Sequence, residues 1–258
     1  MKRPLLALML VAIAGLADPA LAGSGYGIET ATTTVPAGES EAAVAECPPG
    51  SKVVGGGFEV EGDEDTVTAA FPSSEQRFTV RATNESLVDA SEVKAYAVCD
   101  GDIQVKTVVE EGEGDSGERS VVKASCPKGM TLTGGGVKVE GTSERILQSS
   151  PGGDGSRTWV GETHVDGGTS APTTYVQCDR SGGEYEVAFK GTGFETSVQL
   201  EKRCADDLSP TSGGFRLRGL GTASAKRSVP AADKWKLRVN RISEDDRDFR
   251  VYVVCGAG

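Results

Sequence analysis

The chain repeats itself three times around its cysteines, and nothing else in it restricts the possible folds so tightly. The opening cysteines, Cys47, Cys126 and Cys204, stand 79 and 78 residues apart, and the closing ones, Cys99, Cys178 and Cys255, stand 79 and 77 apart. Inside each unit the same marks fall in register. Gly56, Gly135 and Gly213 lie nine positions after the first cysteine, and Gly62, Gly141 and Gly219 lie fifteen after it. Pro72, Pro151 and Pro230 follow, then one large aromatic (Phe78, Trp159 or Trp235), then Tyr96, Tyr175 or Tyr252 three positions before the closing cysteine. A fixed period of this kind marks a structural unit used several times.

Six cysteines allow fifteen pairings, and the repeat singles out one: Cys47–Cys99, Cys126–Cys178 and Cys204–Cys255. Closing a loop of this length removes about 4 kcal/mol of unfolded-state entropy in the chain model. Such staples matter in a chain with only 37% apolar and 5% aromatic residues. Metal ligation is the rival use of six thiols, but no Cys-x-x-Cys pair exists and His164 is the only histidine. The site residues expected here are therefore disulfide cysteines, with no metal and no cofactor.

Residues 1–22 read as a signal peptide. Lys2 and Arg3 give the positive start, Leu5 to Leu16 the apolar run, and Ala20-Leu21-Ala22 the small-residue cleavage site. The run is short for a bilayer core of about 30 Å, so no transmembrane anchor is expected. Export to an extracellular or envelope location suits the disulfides.

From Tyr26 onward the periodicity is two. Tyr26–Val35 is rich in Thr and β-branched residues, as strands prefer. Pro36–Glu39 then turns the chain into Ala42–Cys47, and the same hairpin recurs over Ile103–Val109 with Ser120–Cys126 and over Tyr185–Phe189 with Thr196–Cys204. Next comes a strand that carries the glycines: Lys52–Glu61, Thr131–Glu140, Thr211–Arg218. In it Phe58 and Val60, Val137 and Val139, and Phe215 and Leu217 stay apolar, while the residues between them change sign freely. That contrast assigns the inward face. Glycine weakens a strand unless a bulge or a close backbone approach requires it, so bulges are expected. A phosphate-loop reading fails because no Lys-Ser/Thr follows and no helix opens. Later strands are Thr66–Phe71 and Gln76–Thr83 (the latter matched by Arg157–Thr163 and Lys234–Arg241), and Glu92–Cys99 ends on the bridge.

The fold class is therefore all-β, in three units: 23–101, 102–183 and 184–258. Almost no linker separates them. Two architectures fit. Three tandem antiparallel β-sandwich-like repeats, each tied by its own bridge, is the favoured one. The alternative is a single pseudo-threefold β-prism with one sheet per unit.

The strings Val35-Pro36-Ala37-Gly38, Cys47-Pro48-Pro49-Gly50, Val54-Gly55-Gly56-Gly57 and Tyr96-Ala97-Val98-Cys99 resemble a module common in exported bacterial proteins, especially actinobacterial ones. The resemblance covers nearly all of the chain after residue 22. Unit three departs most, with Ala205-Asp206-Asp207 in place of Pro-x-Gly and Ser212 in place of the first glycine. The resemblance implies a secreted β module and assigns no activity. A likeness to triplicated eggshell-type β-prism proteins rests on repeat number and compartment alone, an analogy of fold.

Chemistry is harder to find. His164 stands where the other units have Asn84 and Asn240, and no partner is in view. The acidic runs Asp63-Glu64-Asp65, Glu110–Glu118 and Glu244-Asp245-Asp246 sit in turns among polar residues, without the spacing of a calcium loop. They read as solvated loops. Asn84-Glu85-Ser86 fits a glycosylation sequon. Charge says more. A net charge of −11 argues against nucleic acid and anionic lipid as partners. Yet unit one carries net −10, unit two −4 and unit three +2. Lys234, Lys236 and Arg238 share one strand face and Arg216 and Arg218 another, so neighbouring strands would make a cationic ladder for an acidic polymer. The expected function is a non-catalytic exported binding or display module, with an extracellular glycan or envelope polymer as the candidate partner. A purely structural or protective secreted protein is the alternative, and a secreted hydrolase or inhibitor a third.

Overall fold

The computed structural model describes residues 26–101, 103–140, 144–153, 156–167, 169–180, 186–192, 197–205, 208–218, 223–240 and 248–257. The expected signal peptide over residues 1–22, Gly141, Gly219 and the run Glu244–Asp246 lie outside them. Unit one supplies β1 (Tyr26–Val35), β2 (Ser40–Glu46), β3 (Lys52–Val60), β4 (Asp65–Pro72), β5 (Arg77–Asn84) and β6 (Ser91–Asp100). Unit two supplies β7 (Val105–Glu111), the short β8 (Gly114–Asp115), β9 (Arg119–Ser125), β10 (Thr131–Lys138), β11 (Glu144–Pro151), β12 (Thr158–Val165), the short β13 (Thr169–Ser170) and β14 (Thr173–Asp179). Unit three supplies β15 (Glu186–Thr192), β16 (Ser197–Arg203), β17 (Leu208–Arg218), β18 (Ser224–Ala231), β19 (Lys234–Asn240) and β20 (Asp248–Ala257). No helix occurs among the described residues.

The strands form three six-stranded antiparallel sheets, plus the small β8–β13 pair. Their orders are β1-β6-β3-β18-β19-β16, β2-β5-β4-β10-β14-β7 and β15-β20-β17-β11-β12-β9. Each sheet takes three strands from one unit and three from another. The seams are β3/β18, β4/β10 and β17/β11, and each pairs only two residues on either strand: Phe58 and Glu59 with Ser228 and Arg227, Val137 and Lys138 with Ala70 and Ala69, Phe215 and Arg216 with Ser149 and Gln148. The all-β class stands. The separation into tandem sandwiches does not, because no unit keeps a six-stranded sheet to itself. The three sheets of the prism alternative are present, but none belongs to one unit. The reason lies in the seam strands: an edge strand left inside the body would bury unpaired N–H and C=O groups, and pairing with the neighbouring unit satisfies them.

The disulfides join Cys47 to Cys99, Cys126 to Cys178 and Cys204 to Cys255, each with Cα atoms 5.6 Å apart, well within the range a bridge needs. Each opening cysteine directly follows the edge strand of one sheet, and each closing cysteine sits on the second strand of another. The bridges therefore tie the sheets pairwise, and the three together close a triangle.

Glycines make the middle of that triangle possible. The ladder slips by one residue at Val53/Gly55, Leu132/Gly134 and Pro210/Ser212, bulges at equivalent places. There the three strands touch. A Cβ on Gly55 would collide with the Thr211 carbonyl and with Ser212, and a Cβ on Gly134 with the Val54 carbonyl and the Gly55 Cα. The next glycine lies under the unit's own aromatic: Gly56 under Phe78, Gly135 under Trp159, Gly213 under Trp235. The indole N–H groups need an acceptor when buried, and Ser149 Oγ (3.1 Å) and Ser228 Oγ (2.9 Å) accept from Trp159 and Trp235. Unit one has Phe78 and needs none, and Ala70 stands at the equivalent place. The third glycine, Gly57, Gly136 or Gly214, leaves room for the seam strand of another unit: Ser228, Ala70 or Ser149 passes with its carbonyl where a Cβ would be.

Inward residues match the expected faces. Trp235, Leu237 and Val239 are buried, as are Phe58, Val60, Val137, Val139, Phe215 and Leu217. Phe58 and Phe215 meet edge to face across units one and three, with ring centroids 5.9 Å apart. Gly135→Ala forces the Trp159 ring off its seat. It is expected to cost about 1–3 kcal/mol by overpacking in urea unfolding, whereas Gly167→Ala, which meets open space, stays within about 0.5 kcal/mol.

Candidate functional site

The proposed cationic ladder is not assembled. Lys234, Lys236 and Arg238 lie on β19 and Arg216 and Arg218 on β17, in different sheets. Lys234 Nζ donates to Glu201 Oε2 at 2.6 Å, and Lys236 Nζ approaches the other oxygen of that carboxylate at 3.8 Å. Glu201 is held below its ordinary pKa, chiefly by the Lys234 hydrogen bond. Arg238 donates to the Val60 carbonyl at 3.2 Å. Arg216 sits opposite Gln148 in the seam ladder, and Arg218 opposite Asp248.

These contacts show where the charge imbalance goes. The seam between units three and one is polar and ionic. Lys226 is the bulged residue of β18, 2% exposed, and its ammonium donates to the carbonyls of Asp63 and Asp65. Burial lowers its pKa, against the raising effect of Asp65, Asp63 and Glu85. Arg227 pairs with Glu59 at 3.4 Å, and Glu59 accepts from the Tyr96 hydroxyl at 3.0 Å. Asn240 donates to Asp63 Oδ1 at 2.8 Å. The basic side chains of unit three thus meet the acidic unit one of the same molecule.

The other sequence candidates are likewise engaged. His164 Nδ1 lies 3.2 Å from the Glu118 carbonyl and Nε2 3.3 Å from Asp166. The sequon amide of Asn84 is 1% exposed and donates to the carbonyls of Val35 (3.1 Å) and Asp89 (2.8 Å), which makes it a loop support, closed to modification. No cluster of three metal-binding side chains occurs among the described residues.

What remains is a groove of about 550 Å³ beside the seam of units one and two. One wall is the β4–β5 turn, Pro72 to Glu75, and the other is the start of the edge strand β7, Gln104 to Thr107; Val109, Tyr175 and Arg180 complete it. The turn is held rigidly. Ser73 N donates to the Arg77 carbonyl at 2.9 Å, Gln76 O accepts from Cys47 N, Glu75 O accepts from Val53 N, and Lys52 pairs with the Glu75 carboxylate. Gly136 lets β4 approach β10 closely, which brings Phe71 against Tyr175 with ring centroids 4.7 Å apart. The Tyr175 hydroxyl makes no hydrogen bond to a described residue. Its pKa is raised, first by burial of the ring and also by Glu111 and Glu140, against Lys138. Lys106 and Arg180 are exposed and form no ion pair with a described residue.

The equivalent place at the seam of units three and one is lined differently. Tyr26 occupies the position that Val105 holds in unit two, and its hydroxyl reaches across to donate to the Pro210 carbonyl at 2.6 Å. Tyr96, the counterpart of Tyr175, has its hydroxyl tied to Glu59 and the Lys94 ammonium 5.1 Å from its ring centroid. The groove was not legible as a pocket motif. The signal for it is a difference between copies: Tyr26 against Val105, and Phe71 against Ser150 and Val229.

No family model and no curated protein sequence matches this chain.

Two outcomes are expected for the ionic seam. Lys226→Leu, which installs the residue of unit two at that place (Leu147), strands the buried Asp65 carbonyl and the partly buried Asp63 carbonyl and costs about 1–3 kcal/mol in thermal or urea unfolding. Burial and Glu59 raise the Tyr96 pKa to about 12 from 10.0. The neutral phenol's stabilisation is therefore complete below pH 10 and is lost as pH climbs toward 12. The difference between wild-type and Tyr96→Phe titrations of phenolate absorbance shows a component near pH 12.

Proposed function

We propose that this protein is an exported, non-catalytic binding module whose three β units form a rigid support for one ligand groove, between units one and two. The observation that carries the reading is the open groove at that seam, set against the Tyr26 plug at the next. A volume near 550 Å³ with a few convergent polar groups is within the usual range of small-ligand sites. Bridges between all three sheets keep its walls in place without ligand, which lowers the ordering cost of binding. Three disulfides suit an oxidising, extracytoplasmic compartment, and no helix among the described residues is long and apolar enough to cross a membrane. The leader-like residues 1–22 and the resemblance to exported bacterial modules support the same location. An extracellular or envelope polymer is the proposed partner class.

The test uses the fold's own plug. Val105→Tyr places in the groove the side chain that fills the equivalent seam. Retention of the oxidised chain on a panel of immobilised envelope and extracellular polysaccharides is expected, and Val105→Tyr is expected to abolish it without lowering the unfolding midpoint. Retention unchanged in Val105→Tyr removes the groove from the reading. No retention on any member favours the purely structural role.

A further inference from the structure

The groove has two chemically different ends. Tyr175 and Val109 are cross-strand partners, and they form an aromatic, apolar end. Arg180 and Lys106 lie at the other end, because Val105 pairs with Asp179 and Lys106 with Cys178. Arg180 lies five positions beyond Tyr175 and one past the end of β14, about 16 Å along the backbone at the usual rise. The walls between them offer hydroxyl and amide groups, from Ser73 and Ser74 on one side and Gln104 and Thr107 on the other, beside the Glu75 carboxylate, which pairs with Lys52.

We infer that the groove takes an acidic oligosaccharide segment of about three pyranose units, with a C–H face of one sugar on the Tyr175 ring and a carboxylate of another at Arg180. This rests on the groove being the binding site proposed above, and it names the ligand class. A flat ring stacked on Phe71 is pre-ordered to receive the apolar face of a pyranose. Small neutral donors and acceptors along the walls match sugar hydroxyls. Arg180 supplies a planar pair of donors suited to a carboxylate, and it forms no ion pair with a described residue. An exposed cation at the mouth of the groove raises the local concentration of anionic ligands around a molecule of net charge −11.

The test compares three probes on the oxidised chain by calorimetric titration in chelator-containing buffer: galacturonate oligomers of two to six units, neutral gluco-oligomers of the same lengths, and oligoglutamate. Galacturonate binding is expected to strengthen up to three units and to weaken with added salt. Arg180→Ser is expected to weaken it at least tenfold and to flatten the salt dependence. Tyr175→Leu is expected to weaken acidic and neutral oligomers alike, with the unfolding midpoint recorded to show that the variant is folded. Neutral oligomers binding as tightly as acidic ones, with loss in Tyr175→Leu only, would overturn the anionic assignment and leave the binding-module reading standing. Oligoglutamate binding as tightly as galacturonate would overturn the saccharide assignment. Galacturonate binding that neither variant changes, or no galacturonate binding at all, would overturn the inference outright.

Discussion

Three backbones meet in the middle of this molecule where two of the three strands have no room for a side chain. Gly55, Gly134 and Ser212 come together from β3, β10 and β17, and the carbonyls of Val54 and Thr211 occupy space that Cβ atoms on Gly134 and Gly55 would need. Glycine inside a strand is ordinarily a weakness. Here it is the condition for the assembly, because only bare backbone lets three units approach closely enough to share their sheets. Bulges at the same three places turn each strand away from its neighbours afterwards. Unit three shows how far the condition relaxes: Ser212 replaces its first glycine and the Thr211 hydroxyl bonds the Thr133 and Val254 carbonyls, both at 3.1 Å.

Once the centre is set, the units have little freedom left in their topology and much at their seams. Seam ladders are only two residues long on each side, so side chains decide how each seam is held. Units three and one use charge, through Lys226, Arg227 and Arg238. A buried ammonium is costly by itself, and Lys226 is tolerable because carbonyls of the Asp63–Asp65 turn receive it while nearby carboxylates favour its charge. Units one and two use aromatic packing, Phe71 on Tyr175. Lys226, Arg227 and Arg238 of basic unit three thus meet acidic unit one, while Lys234 and Lys236 meet Glu201 of their own unit.

Much of the architecture was legible in the sequence, because the bridges, turns and strand alternation are local or periodic. Lys52–Glu61 became Lys52–Val60, and Glu92–Cys99 became Ser91–Asp100. β11 and β18 were missed for a physical reason. Ile146-Leu147-Gln148-Ser149-Ser150 and Ala225-Lys226-Arg227-Ser228-Val229 are covered on both faces, so they show no alternation to read. Those two strands make two of the three seams (the third seam strand, β4, was read as Thr66–Phe71), and without them separate sandwiches looked adequate. Lys234, Lys236 and Arg238 were placed on the correct face of their strand, but the Glu201 carboxylate and the Val60 carbonyl that engage Lys234 and Arg238 come from distant parts of the chain.

The candidate site shows how function arises on a repeated scaffold. A groove next to a seam follows from the geometry, since the turn after β4 must pass close to the first strand of the neighbouring unit. What differs is whether it is filled. Tyr26 fills one, its hydroxyl satisfied by Pro210, and in doing so adds buried contact across the seam of units three and one. Val105 leaves the one between units one and two open and forgoes that contact. The cost to stability is small when three bridges already join the sheets. An unfilled seam is therefore a feature this fold tolerates, and the same rigidity that makes it tolerable keeps Tyr175, its polar walls and Arg180 in a fixed relation.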